Sequence, residues 1–139
     1  MQGRPMTELK RSDTVVTSMG MFRVGWALTG FVGLFLLVDG GARLAGFAPY
    51  VEGMTTFGYP ASLAPWIGLT LLVCTITMLI PRTAVLGCIL VTGYLGGAVA
   101  THVRVQNAWF LFPVMLGAMA WLGLYLRDPR MRAQIPFRT

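Results

Sequence analysis

Charge is what this sequence has least of. Only 12% of its 139 residues are charged, and acids are the scarcer sign, five Asp and Glu against eleven Lys and Arg. Soluble domains carry about a quarter charged residues, so an ordinary water-exposed surface is excluded. One histidine, His102, is present. A metal site there would need Asp39 and Glu52 as companions, and no metal is expected. The two cysteines, Cys74 and Cys88, lie inside apolar runs and form no C-x-x-C pair, which excludes a thioredoxin-like exchange motif. They read as buried, inert thiols that could meet if their helix faces match. A glycine-rich phosphate loop, a nucleophile elbow and an H-E-x-x-H helix are all missing. The net charge of +6 does not indicate nucleic acid, because no nucleic-acid motif accompanies it.

Apolar residues are what the chain has instead. They make up 55% of it, and the mean hydropathy is +0.67. This is the composition of an integral membrane protein. A membrane-crossing helix needs about 20 apolar residues, and four runs approach that length, predicting spans over about 22–42, 63–80, 84–101 and 109–126. Residues 1–20 and 127–139 are polar tails, and residues 1–139 read as one membrane domain. The basic start and short first run resemble a signal peptide. Asp39 and Arg43 nevertheless stand where small uncharged residues should precede cleavage. Backbone in lipid must satisfy its own hydrogen bonds, so the runs are helices. The predicted fold class is an all-α membrane protein, a bundle of four transmembrane helices. Only Arg82 and Thr83 follow Pro81 before the third run, which makes the second and third spans a tight hairpin. The long connection, residues 43–62, carries Leu44, Phe47, Tyr50, Val51 and Met54 at near-helical spacing. A short amphipathic segment on the outer surface is expected there.

The basic residues are distributed unevenly. Arg4, Lys10, Arg11, Arg23, Arg82, Arg127, Arg130, Arg132 and Arg138 fall on one side of the predicted membrane, and only Arg43 and Arg104 on the other. Cytoplasmic segments are enriched in Lys and Arg, so both termini are expected in the cytoplasm of a multi-pass protein. Trp66 and Trp109 mark the outer boundary, and Trp26, Trp121 and Tyr125 the inner one.

Most of the chemically capable side chains collect at the outer side. Asp39 and Arg43 are four residues apart, on one face if the first helix persists. They read either as an ion pair that anchors the helix or as a proton acceptor held ionised by its partner. Histidine is the side chain that ordinarily changes charge near neutrality, so His102 reads either as a hydrogen-bonded boundary residue or as a group for proton transfer or binding of a polar head. Arg104 follows two positions later, so both can point inwards if the chain leaves the helix near Thr101. Glu52 and Tyr59 complete the candidate pocket, with Gln106 nearby. Asp39 and His102 are the candidate catalytic groups; Arg43, Glu52, Tyr59 and Arg104 are the candidate binding groups. Gly93, Gly97 and Thr101 recur at four-residue spacing and are expected to let a neighbouring helix pack closely. The alternative is that this groove receives a flat apolar ligand.

Taken in order, Gly58-Tyr59-Pro60, the hairpin at Pro81-Arg82-Thr83, and Gly93-Tyr94-Leu95-Gly96-Gly97-Ala98 running into His102-x-Arg104 resemble the DoxX-like family, from about Gly30 to Leu126. That resemblance implies a small bacterial protein of the inner membrane with four helices. Gly58, Tyr59, Pro60, His102 and Arg104 are the positions it carries over; Asp39 departs from the small polar residue it implies. The family's name comes from a membrane subunit associated with a thiosulfate:quinone oxidoreductase. The implied role is an accessory or subunit protein in a redox or envelope context, with quinone as the cofactor suggested by analogy. No cofactor follows from the residues themselves. The expected partners are the lipid bilayer, a membrane or redox protein and a second copy of the chain, with no nucleic acid. Two rivals remain open. One is an enzyme on a small lipophilic substrate or quinone, with Asp39 or His102 as acid or base and Arg43 or Arg104 stabilising negative charge. The other, ranked last, is a carrier, for which four short helices leave little room.

Overall fold

The computed structural model describes the backbone of residues 6–134, and the side chains of the first helix from residue 18 onward. Arg4 and Arg138, and the side chains of Lys10 and Arg11, lie outside that description. Helix α1 spans Met6–Leu44. The polar tail and first span therefore form one continuous helix of 39 residues, about 58 Å long at 1.5 Å per residue. The sequence has no proline between Pro5 and Pro49 to break it. Four segments are long and apolar enough to cross a membrane: Ser18–Leu44, Ala61–Leu79, Ala84–Arg104 and Ala108–Arg127. Their number is that of the predicted spans.

Helix α1 ends in a Schellman turn. Gly46 takes φ +72°, its N–H donates to Arg43 O (3.1 Å), and Phe47 N–H donates to Ala42 O (2.9 Å). The long connection after α1 contains helix α2, Ala48–Thr56, with Pro49 in its first turn. It closes the same way, with Gly58 at φ +84° and Tyr59 N–H donating to Met54 O (3.1 Å). Glycine adopts this left-handed conformation without a Cβ penalty. The Gly58-Tyr59-Pro60 motif is thus the stop of α2, and it sets the direction in which Tyr59 leaves.

Helix α3 spans Ala64–Leu79 with Pro65 in its first turn, where no backbone N–H is needed. Helix α4 spans Ala84–Arg104, α5 spans Leu111–Arg127 and the short α6 spans Pro129–Gln134. The Asp128 carboxylate accepts from Arg130 N–H (2.9 Å) at the start of α6. Helices α1 and α4 each pack against both α3 and α5, so the four long helices close a ring of sequential neighbours. Val32, Leu36, Leu71, Met78, Val91, Leu116 and Leu124 fill its core.

Three glycine contacts set how closely the helices approach. A Cβ at Gly25 would stand 2.7 Å from Arg127 N and 2.8 Å from Gly123 O, where α1 crosses α5. A Cβ at Gly68 would stand 2.6 Å from Gly40 O, where α3 crosses α1. One at Gly87 would overlap the Met78 backbone in the α3–α4 hairpin. Arg127, counted above with the solvated tail, is buried at 6% exposure. Its Nη2 donates to Met78 O (3.1 Å), and its guanidinium lies 4.5 Å from the Trp26 ring centroid. The carbonyls of the last α3 turn have no intrahelical partner, and Arg127 satisfies one of them. Cys74 and Cys88 are both free and buried; the Cys88 thiol lies 3.9 Å from Ala120 O. Buried thiols react slowly. A water-soluble maleimide is therefore expected to label neither cysteine in detergent until the protein is unfolded, as intact-mass measurement would show.

Candidate functional site

A cavity of about 510 Å³ opens at the end of the ring that carries α2. Its walls come from the end of α1, from α2 and the turn after it, from Ile67 of α3 and from one face of α4. That volume lies within the about 300–1,000 Å³ of small-molecule sites. Asp39, Arg43, Tyr59 and His102, four of the six polar residues singled out from the sequence, border it.

Helix α1 persists through Leu44, so Asp39 and Arg43 do share a face. Their contact is two-pronged: Arg43 Nε donates to Asp39 Oδ2 at 3.1 Å and Nη2 to Oδ1 at 3.0 Å. The side chains keep only 22% and 16% exposure, Arg43 first. A paired fork of this kind fixes both groups more firmly than a point contact.

His102 is oriented by its own helix. Its Nδ1 lies 2.8 Å from Ala98 O, and a carbonyl only accepts, so Nδ1 carries the proton. In the neutral ring Nε2 is then the acceptor nitrogen. Phe57, from the turn after α2, packs against the ring with centroids 4.7 Å apart and planes at 52°. The hydroxyls of Tyr59 and Thr101 lie 2.8 Å apart. Thr101 spends its single proton on Gly97 O (2.9 Å), so Tyr59 is the donor in that pair. The Tyr59 oxygen keeps lone pairs for another donor.

The remaining two polar residues sit elsewhere. Glu52 is exposed on α2 and does not line the cavity; its backbone carbonyl accepts from the hydroxyls of Thr55 and Thr56. Helix α4 does not stop at Thr101 but continues to Arg104. Residues two apart point away from each other on a helix, so Arg104 turns outward while His102 faces the cavity. Arg104 donates to the Phe57 carbonyl, one of those left open where α2 ends, and so braces the turn that presents Tyr59. Gln106 is exposed at φ 55° and ends α4, with Asn107 N–H donating to His102 O (3.0 Å).

The glycine stripe is also placed differently from its expected packing role. A Cβ at Gly93, Gly96 or Gly97 would meet nothing within 4 Å. Gly93, Gly97 and Thr101 border the cavity instead, as in the groove alternative. Small residues there hold the cavity open. Sequence reasoning missed Tyr94 and, on α2, Tyr50, Gly53 and Met54 as lining residues. For Tyr94 a signal existed: Tyr94, Ala98 and Thr101 recur at helical spacing on the face that carries His102. Among the described residues no group of three or more metal-ligating side chains forms.

Four apolar helices closed into a ring, with a cavity at one end, define a multi-pass helical membrane protein. Its composition and its exposed apolar belt, Phe31, Leu34, Val73, Ile76, Leu86 and Ile89 among them, are those of a chain embedded in lipid. The chain belongs to the DoxX-like family, whose sequence profile matches residues 27–123, a range that includes every cavity-lining residue. Comparison with curated proteins and with solved structures gave no match.

Proposed function

We propose that the protein binds a small lipophilic molecule with a flat, hydrogen-bonding head, of the quinone class, in the cavity beside α4. It would serve there as an accessory or subunit protein of a membrane redox or envelope system. The observation that carries this reading is the open floor at Gly93 and Gly97, which no helix fills. Around that floor stand a donor for a carbonyl oxygen, the Arg43 guanidinium of the Asp39–Arg43 fork, and acceptors for a hydroxyl head, the Tyr59 oxygen and the His102 Nε2. Small-molecule sites characteristically combine a mainly apolar wall with a few such convergent polar groups. The DoxX-like family takes its name from a subunit associated with a thiosulfate:quinone oxidoreductase, which favours the same ligand class by analogy, and a membrane redox partner or a second copy of the chain would complete the assembly. The positive charge at the terminal end supports cytoplasmic termini in a bacterial inner membrane, with the cavity near the outer face. Alkaline phosphatase fused after Arg138 is then expected to be inactive.

The binding reading is tested by extracting lipids from the purified protein and quantifying co-purified quinone by mass spectrometry. Wild type is expected to retain quinone. His102→Gln removes one ring contact and is expected to retain about five- to ten-fold less at an unchanged melting temperature. Equal retention in the two proteins would remove His102 from the site, and no retention in wild type would remove the ligand class.

A second reading, acid–base chemistry on the bound molecule, is favoured by one observation. His102 uses Nδ1 to donate to Ala98 O, which leaves Nε2 as a base in its neutral form. Turnover of a bound lipophilic substrate, lost in His102→Gln while binding survives, would select this reading over simple binding.

A further inference from the structure

We infer a second site, at the opposite end of the ring, that holds the phosphate of an anionic phospholipid. A cavity of about 400 Å³ lies there between the start of the first span and the chain that follows α5. Arg23 of α1, Arg127 at the end of α5 and Arg132 of α6 all line it, together with Ser18. Among the described residues no acidic side chain lines it. The Asp128 carboxylate, the nearest in sequence, is engaged at the start of α6. Three guanidinium groups from three helices around one hollow repel one another unless an anion lies between them.

Arg127 is the fixed member of the set. It is held by Met78 O and the Trp26 ring, with 6% exposure. These contacts leave it short of acceptors: its Nε is buried without a hydrogen-bond partner among the described residues. A buried donor left unpaired is costly, and guanidinium forks match phosphate oxygens in geometry and charge. Arg132 is half-buried, and Arg23 is exposed at the rim, so an anion has a way in.

The rim argues for a lipid rather than a free anion. Met19 and Phe22 line the same cavity and remain 55% and 51% exposed. They form an apolar edge along which acyl chains can lie. Ser18 begins one candidate span and Arg127 ends another, which places the hollow at the depth of the headgroups rather than in water. Basic pockets between transmembrane helices are suited to anionic headgroups. The ligand class is therefore a phosphodiester carrying net negative charge, with its glycerol and chains directed past Phe22.

The test compares phosphatidylglycerol with phosphatidylcholine, which share the phosphodiester but differ in net charge. The full chain is delipidated in detergent, exposed to an equimolar mixture of the two, and its retained lipid is read by native mass spectrometry. Wild type is expected to retain phosphatidylglycerol about ten-fold over phosphatidylcholine, and the double variant Arg23→Gln/Arg132→Gln to lose that preference. Arg127 is left intact because it packs in the core. The charge-matched control Arg82→Gln/Arg130→Gln alters the same end of the molecule outside this cavity, and it is expected to keep the wild-type preference. Three results would overturn the inference. One is no preference in wild type; another is equal loss in the control, which would mean diffuse surface charge. The third is displacement of the lipid by millimolar inorganic phosphate, which would mean a site for a soluble anion.

Discussion

Gly87→Ala is expected to abolish or severely weaken folding, whereas Gly97→Ala, ten residues along the same helix, is expected to be tolerated. The added methyl at Gly87 would overlap the Met78 backbone. Backbone, unlike the end of a flexible side chain, has no rotamer into which it can retreat. Overpacking of that kind costs about 3 kcal/mol or more, beyond the usual range for point substitutions. Gly25→Ala and Gly68→Ala belong to the same class, because the methyl would lie within 2.8 Å of main-chain atoms of the facing helix. At Gly97 the methyl meets open space, and alanine gains up to about 1 kcal/mol of helix propensity over glycine. Thermal unfolding in detergent should therefore separate the four variants into two groups. Enlarging the group at the second site divides structure from ligand binding. Gly97→Leu is expected to remain folded and lose its quinone, because the side chain would grow into the cavity. If Gly97→Ala were as damaging as Gly87→Ala, the cavity floor would be a helix contact and the binding proposal would fail with it.

The same contrast marks what the sequence could and could not reveal. Four spans were legible because each is a long apolar run bounded by charge, proline or glycine, and every such feature acts locally. Helix α2 was legible from spacing alone. The glycines were not, because small residues four apart look the same whether they face a helix or a hollow. Gly93 and Gly97 have the expected period and face the cavity; Gly25 pairs with Gly123, and Gly40 with Gly68, across long stretches of chain. Arg127 stands at the start of the polar tail, followed by Asp128 and Pro129, and nothing local marks it as buried. Its burial depends on the Trp26 ring and on a carbonyl contributed by another helix. Residue type alone put Glu52 in the candidate pocket, but which side of α2 it takes is settled by how that helix docks. His102 and Arg104 were expected to converge only if α4 ended early. The left-handed turn at Gln106 fixes the end of the helix, and nothing about glutamine signals that conformation, which glycine or asparagine usually supplies. Asp39, Arg43, Tyr59 and His102, singled out from the sequence, border the cavity, while which residues face it and which brace the turn beside it required the fold.

Removing both members of the Asp39–Arg43 pair is expected to cost less stability than removing Arg43 alone. The two side chains are mostly withdrawn from water and joined by two hydrogen bonds. Arg43→Met would leave the Asp39 carboxylate in the cavity wall without its counter-ion, and a lone charge within a span costs about 2–3 kcal/mol. Asp39→Asn leaves the cation unpaired and is expected to be less severe, because a long side chain can reach toward the headgroups. In the double variant Asp39→Asn/Arg43→Met no charge remains to be desolvated, so more than half of the Arg43→Met loss should be recovered. Strict additivity in that cycle would mean that the observed fork contributes no coupling. The cycle also separates the two roles the pair could have. An anchor that merely holds the end of α1 predicts that the double variant regains quinone retention along with its stability. A pair that orients the head of a bound molecule predicts stability without retention, since neutral Asn and Met cannot replace a charged fork that both donates and accepts. On the binding reading the second outcome is expected, because the fork borders the same hollow as His102 and Tyr59, and a helix anchor would have no need of that position.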